Sequence, residues 1–66
     1  MSVAKVIEIS ATSPESFEDA VRQGIAKASE SVRGIRSAWV KEQLVRVEDN
    51  NVVEFQVNIQ ITFVLE

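Results

Sequence analysis

The last fifteen residues of the chain, 52–66, alternate between apolar and polar side chains almost without exception. The odd positions carry Val53, Phe55, Val57, Ile59, Ile61, Phe63 and Leu65. The even positions from 54 to 62 carry Glu54, Gln56, Asn58, Gln60 and Thr62. A period of two is typical of a β-strand with one buried face and one wetter face. The pattern therefore predicts one long strand, and the rest of the chain must fold around it.

The predicted strand is too long for a compact chain of this size. At a rise of about 3.3 Å per residue it would extend roughly 50 Å, whereas a compact chain of 66 residues has a diameter of about 30 Å. A single domain over residues 1–66 also has a marginal core, and the absence of cysteine excludes disulfides. We therefore expect the strand to curl around a helix and its ends to pack on other copies of the chain.

Composition excludes several classes of function. The chain has no histidine and no cysteine, which removes the usual transition-metal ligands and the most common general base. A net charge of −3 without a basic run argues against a nucleic-acid partner. No stretch approaches the ~20 apolar residues that span a bilayer, and residues 1–5 do not resemble a signal peptide. We expect a cytoplasmic protein with no membrane partner.

The first half of the chain predicts a strand and then a helix. Residues 3–10 are mostly apolar on both faces, as in a covered strand. A helix is predicted over residues 14–33, with Ser13 as its N-cap, Pro14 in its first position and Gly34 as its stop. Its apolar stripe consists of Phe17, Val21, Ile25, Ala28 and Val32. We interpret Gly24, inside the helix, as a point of close packing against the sheet.

The second half predicts a long hairpin. Residues 35–48 form the first strand, and a two-residue turn at Asn50-Asn51 pairs Asp49 with Val52. This register places three residues on the apolar face, Ala38, Val40 and Leu44. It places four on the polar face, Ser37, Trp39, Lys41 and Gln43. A shift by one residue would bury Lys41 and Gln43, and Glu42 is the one residue that does not fit.

These elements define an α+β fold in the order β-α-β-β. The first and second strands can both lie antiparallel to strand 52–66, which becomes the central strand of a three-stranded antiparallel sheet wrapped on one helix. One helix can cover only one face of this sheet. The amide-rich face that carries Trp39 is therefore expected to lack cover within the chain.

Few residues suggest chemistry. No serine or threonine is paired with an activating group by its spacing, so no catalytic residue is predicted. Glu15, Glu18 and Asp19 could bind Ca²⁺ or Mg²⁺ through their oxygens. Acidic residues at a helix start more often reflect the helix dipole, and we prefer that interpretation unless symmetry gathers several copies. Arg46 and Glu54 are predicted to form a pair at the surface or at an interface.

Trp39 has two interpretations. An indole beside the amides of Gln56 and Gln60 and beside Lys41 suits a planar ligand that also accepts hydrogen bonds. A tryptophan on an uncovered face is also typical of a subunit interface. Composition alone favours the interface.

The element order, the length and four short motifs resemble the dodecin family over nearly the whole chain. The motifs are residues 5–9 (KVIEI), 12–17 (TSPESF), 40–42 (VKE) and 54–57 (EFQV). The resemblance implies a small, non-enzymatic protein that assembles as a hollow twelve-chain shell and binds or stores flavin (riboflavin, FMN or FAD). Such an assembly would explain both the overlong strand and the uncovered sheet face.

The resemblance also implies site residues. In flavin-binding dodecins a tryptophan at the start of the second strand stacks on the flavin ring, and a glutamine of the third strand, matched here by Gln56, bonds to its edge. An alignment without gaps puts Ser37 at the tryptophan position, with Trp39 two residues later. Two residues along a strand keep the same face but shift the side chain by about 7 Å.

Three hypotheses follow. In the first, a homododecamer binds flavin through Trp39 and Gln56, with Ser37, Lys41 and Gln60 around them. In the second, the shell does not bind flavin tightly and instead holds Ca²⁺, Mg²⁺ or another ligand such as coenzyme A. The third, a small enzyme, has no nominated residue.

Overall fold

The structure, a computed structural model, describes residues 2–65 and contains three strands and one helix. The elements are β1 (Val3–Ser13), α1 (Phe17–Ala28), β2 (Ile35–Glu48) and β3 (Asn51–Leu65). The sheet order is β1-β3-β2, and β3 is antiparallel to both neighbours. The predicted β-α-β-β fold with its central last strand is confirmed; Glu66, included in that prediction, lies outside the described residues.

The core lies between α1 and one face of the sheet. Val57, Ile59 and Ile61 of β3 and Ala20 of α1 have no exposed surface. Partly buried apolar residues from the other elements surround them: Ile7, Ile9, Ala11, Phe17, Val21, Ile25, Ala28 and Ile35. The odd positions in the middle of β3 are therefore buried as the alternation predicted, whereas Val53 and Leu65 near its ends are exposed.

The helix begins three residues later than predicted. Its N-cap is Ser16, whose Oγ accepts a hydrogen bond from the backbone N–H of Asp19 at 2.9 Å. Ser13 instead ends β1, where its buried hydroxyl accepts from the Glu15 N–H at 2.9 Å and donates to Asp19 Oδ2 at 2.6 Å. Pro14 thus lies in the connection, because Ser13 uses its hydroxyl to turn the chain between β1 and α1.

The helix also ends earlier than predicted, at Ala28 instead of residue 33. Ser29 is the C-cap, and its Oγ donates to the carbonyl of Ala26 at 2.8 Å. The backbone N–H groups of Glu30 and Ser31 bond to carbonyls three residues back, which tightens the turn after Ala28. Gly34 has the expected left-handed conformation, with φ of 76°, but it lies in the connection to β2 and not at the helix end.

The hairpin turn is formed by Asp49 and Asn50, one residue earlier than predicted. Both have positive φ values, 52° and 64°, as a two-residue type I′ turn requires. Glu48 consequently pairs with Asn51. Asp and Asn tolerate this conformation better than other non-glycine residues, so both turn residues suit the backbone that they adopt.

Two bulges in β2 and one in β3 change the predicted faces. Trp39 lies opposite Gln60 and Val40 opposite Ile59, as the predicted faces require, but Lys41 has no partner and Glu42 then lies opposite Asn58. Beyond this bulge the alternation of β2 is inverted. Leu44 lies opposite Gln56 on the polar face and Gln43 opposite Val57, so both of those face assignments were wrong.

The molecule is elongated, as the length of the last strand predicted. Its extents are 51 × 20 × 13 Å and its radius of gyration is 13.6 Å, whereas about 11 Å is expected for a compact chain of this length. β1 ends at Ser13, opposite Phe55. Beyond that point only the hairpin of β2 and β3 continues, and we call its residues 45–54 the arm. Among the described residues, no helix is long and apolar enough to cross a membrane.

Candidate functional site

The sheet face opposite α1, here called the outer face, has no cover from the described part of the chain. β3 contributes the even-numbered residues Gln56, Asn58, Gln60 and Thr62, which alternate with its core residues. β1 contributes Val6, Glu8, Ser10 and Thr12 beside them. β2 contributes Ser37, Trp39, Glu42 and Leu44 on the other side. The outer face is thus a polar surface with isolated apolar groups.

Trp39 is the largest exposed apolar group of this face, with 65% of its surface accessible. The strand pairing places it in one row with Gln60 and, on the far side of Gln60, Glu8. Gln60 Nε2 donates to Glu8 Oε1 at 3.3 Å, and Lys41 Nζ lies 3.6 Å from the same oxygen. The indole therefore lies beside an amide, a carboxylate and an ammonium group.

Gln56 is not part of this row. It lies four residues from Gln60 along β3, which corresponds to about 13 Å. The structure thus brings Trp39, Gln60, Lys41 and Ser37 into one region and separates them from Gln56. Within one chain, a ring that stacks on Trp39 therefore cannot also accept a hydrogen bond from Gln56, because the two side chains lie in different parts of the outer face.

The amide of Gln56 is held by its own neighbours. Its Nε2 donates to Ser10 Oγ at 3.1 Å and, more weakly, to Asn58 Oδ1 at 3.4 Å. Its Oε1 accepts from Arg46 Nη2 at 3.3 Å. Arg46 also donates from Nε to Glu54 Oε1 at 3.0 Å, which confirms the predicted surface pair. These bonds fix which end of the Gln56 amide is the donor.

Sequence reasoning missed two carboxylates of the outer face, Glu8 and Glu42. Glu8 was assigned only to a strand with apolar groups on both faces. Glu42 was the one residue that did not fit the predicted register, and the structure explains it, because the bulge at Lys41 turns it outward to accept from Asn58 Nδ2 at 3.0 Å. The misfit in the alternation was the signal that could have revealed the bulge.

The three acids at the start of α1 line a shallow depression of about 550 Å³. Glu18 Oε2 is bonded to the Arg22 guanidinium at 2.8 Å. Asp19 Oδ2 accepts from Ser13 and, at 2.9 Å, from Gln23 Nε2. Within residues 2–65 no three acidic groups lie close enough together to hold a metal ion. A cation site built from Glu15, Glu18 and Asp19 would therefore need acids from more than one chain.

The fold and the uncovered outer face define a class of small α+β proteins in which one helix lies on one face of a three-stranded antiparallel sheet. The family model described as Dodecin matches residues 3–66. Calcium dodecin from Mycobacterium tuberculosis is 38% identical over 63 residues, covering 96% of this chain and 89% of that protein. The chain therefore belongs to the dodecin family.

Solved dodecin structures superpose on nearly the whole chain. An arginine-to-alanine variant of the T. thermophilus dodecin matches with a TM-score of 0.94 and 32% identity, over 100% of this chain and 98% of that one. The crystal structure of the M. tuberculosis calcium dodecin, described as a calcium-chelating antigen with a novel calcium-binding site, matches with a TM-score of 0.84 and 34% identity. The match covers 97% of this chain and 91% of the calcium dodecin chain.

Proposed function

We propose that this chain is a non-enzymatic, homo-oligomeric protein that binds a planar small molecule, with flavin as the first candidate and a twelve-chain shell as the assembly. The observation that carries the proposal is the exposure of Trp39 on a polar face of a dodecin fold. An indole with 65% of its surface accessible offers a flat apolar area on which a ring can stack. Gln60 and Lys41 beside it supply hydrogen-bond donors for the edge of that ring.

Gln56 has a role in this site only if it comes from another copy. Its distance of about 13 Å from Gln60 along β3 is too great for both side chains of one chain to contact the same edge of a ring stacked on Trp39. A second copy whose outer face meets the first can supply the Gln56 amide, already oriented by Arg46 and Ser10. In this proposal the ligand lies between outer faces, and self-association is part of the site.

The first prediction concerns riboflavin binding. Titration of the oligomer with riboflavin is expected to quench flavin and Trp39 fluorescence saturably; Trp39 is the only tryptophan, so its emission reports on this site alone. Trp39→Ala should weaken binding about tenfold or more, because stacking on an aromatic side chain contributes about 1–3 kcal/mol. Gln60→Ala should weaken it less, because one neutral hydrogen bond contributes about 1 kcal/mol.

The matched control is Val3→Ala, which removes an exposed apolar group that lies opposite Leu65, away from the rows of Trp39 and Gln56. It should leave riboflavin binding unchanged. Light scattering on each variant establishes that the oligomer is intact. An intact oligomer that fails to quench riboflavin fluorescence would refute the flavin proposal, and a monomer at micromolar concentration would refute the assembly as well.

We propose Ca²⁺ binding as a second candidate, because a relative 38% identical to this chain is a calcium dodecin. The acids at the start of α1 are the nominated ligands, brought together by copies around a symmetry axis. Glu15 suits this role within the described residues, since its carboxylate takes part in no hydrogen bond or ion pair there. Oxygen ligands of this kind are those that Ca²⁺ requires.

The second prediction tests this site through thermal stability. Ca²⁺ at about a hundred times its dissociation constant should stabilise the native state by about 2.7 kcal/mol, visible as a rise of several degrees in Tm. Glu15→Gln should abolish the rise, whereas Glu30→Gln, an exposed acid beyond the other end of α1, should retain it. An equal rise in both variants would place the cation elsewhere, and no rise in the unmodified oligomer would exclude the Ca²⁺ candidate.

A further inference from the structure

A charged acceptor lies at the far end of the row that contains Trp39. The row consists of Trp39 on β2, Gln60 on β3 and Glu8 on β1. Glu8 Oε1 accepts from Gln60 Nε2 at 3.3 Å and lies 3.6 Å from Lys41 Nζ. Among the described residues, Glu8 Oε2 and Gln60 Oε1 accept no hydrogen bond. The row therefore offers a ligand two acceptor oxygens, one of which belongs to a charged group.

The bulge in β2 brings an ammonium group to the same row. Lys41 has no partner on β3, because it is the extra residue between Val40 and Glu42. A bulge can redirect a side chain, and Lys41 reaches across β3 to Glu8, over two strand spacings of about 4.8 Å each. A donor and a charged acceptor thus lie side by side on the outer face.

The Glu8–Lys41 pair is not needed to hold the sheet together. β3 already pairs with both neighbouring strands along their length. The side chains of Lys41 and Glu8 are 37% and 51% exposed, and ion pairs at such positions contribute little to stability because water screens them. Their placement beside an exposed indole instead suits recognition of the polar edge of a ring.

The two acceptor oxygens determine which ring edge fits best. The polar edge of a flavin has one N–H between two carbonyl groups, so it can satisfy only one of the acceptors. A 2-amino-4-oxopyrimidine edge has an exocyclic amino group, a ring N–H and a carbonyl side by side. Its two donors match the two acceptor oxygens, and its carbonyl can accept from Lys41.

We infer, on the basis of the proposed stacking on Trp39, that Glu8 selects planar rings with an amino group beside a ring N–H, as in pterins and guanine. Glu8 Oε2 and Gln60 Oε1 accept from these two donors, and Lys41 Nζ donates to the carbonyl. Trp39 supplies the stacking surface for any planar ring. A ring without the amino group leaves the charged oxygen of Glu8 without a donor, which lowers its affinity.

Two pairs of ligands test this selection, because their members differ only at the group that Glu8 recognises. Guanosine has the amino group that inosine lacks, and pterin has an amino group where lumazine has a carbonyl. Equilibrium dialysis against the oligomer measures the four dissociation constants at one pH, and quenching of Trp39 fluorescence reports binding at this site. We expect the amino member of a pair to bind about tenfold or more tightly, as for a hydrogen bond to a charged group. The pair with the tighter amino member distinguishes a purine from a pteridine ligand.

Glu8→Gln keeps the size of the side chain and removes its charge. The preference for the amino member should fall to about threefold or less, because a neutral hydrogen bond is weaker than a charged one. Binding of inosine and lumazine should stay unchanged, which a general structural role of Glu8 would not allow. Glu42→Gln is the matched control, since it removes the same charge from the outer face opposite Asn58, outside the row. It should retain the full preference.

The outcomes separate the role of Glu8 from the proposed function. An intact oligomer that binds riboflavin but binds both members of each pair equally would overturn the role of Glu8, while the proposed function stands. A preference that persists in Glu8→Gln would also overturn it. If riboflavin and all four rings fail to quench Trp39 fluorescence in an oligomer that light scattering shows to be intact, the proposed stacking on Trp39 is wrong as well.

Discussion

Ile59→Ala is expected to lower the free energy of unfolding by about 2–5 kcal/mol, the range for removing a fully buried aliphatic side chain. Ile59 has no exposed surface and lies at the centre of β3, under α1. A chain of 66 residues has roughly 3–10 kcal/mol of stability in total. The substitution should therefore remove a large part of that stability, and urea unfolding at fixed chain concentration measures it.

The cost is large because the cavity cannot close easily. Ile59 Cδ1 is 3.5 Å from where a Cβ on Gly24 would lie, so α1 already approaches the sheet closely at this point. Val40→Ala is the matched control, since Val40 lies opposite Ile59 on the same face of the sheet but is 39% exposed. It should cost less than half as much. Equal losses would show that β3 is not the centre of the core.

The sequence predicted the fold well because its strongest periodic signal belongs to the most constrained element. β3 is paired on both sides and covered on one face, so every odd residue in its middle must be apolar. A slip of one residue would expose all of them. β2 has no such constraint, since its residues beyond Ile35 are all exposed, and its alternation therefore carries less information.

The errors come from local hydrogen bonding that periodicity does not describe. Ser13 and Ser16 are both plausible N-caps, and only the position of Asp19 decides between them, because it receives the Ser13 hydroxyl and donates its N–H to Ser16. The bulge at Lys41 exchanges the faces of the residues in the second half of β2, and the amino-acid composition of the strand gives no sign of it. Glu42 marked it, but one misfit in a period-two pattern does not reveal the position of the extra residue.

The face on which Trp39 lies was predicted, but its separation from Gln56 was not. Trp39 does lie on the uncovered polar face with Gln60 opposite. The distance between Trp39 and Gln56 follows from the register. The predicted turn put Trp39 opposite Thr62, two residues from its observed partner Gln60. Contact between Gln56 and a ring stacked on Trp39 depends on how copies of the chain are arranged. The strand pairing within one chain does not determine that arrangement.

Gly24→Leu is expected to destabilise the fold by about 1–3 kcal/mol or more, the usual cost of overpacking a filled core. A Cβ at this position would lie 3.1 Å from the Ala11 Cβ and 3.4 Å from Ile9 Cδ1. The first of these contacts is with a short side chain on β1 that cannot rotate away. The larger side chain must therefore push α1 from the sheet, against a helix-propensity gain of about 1 kcal/mol over glycine.

Ala26→Leu provides the control on the same helix, because Ala26 is exposed and leucine is nearly as good a helix former as alanine. Its effect on urea unfolding should be within about 0.5 kcal/mol. If Gly24→Leu unfolds at the same urea concentration as the unmodified protein, the close approach of helix and sheet at Gly24 does not exist in solution.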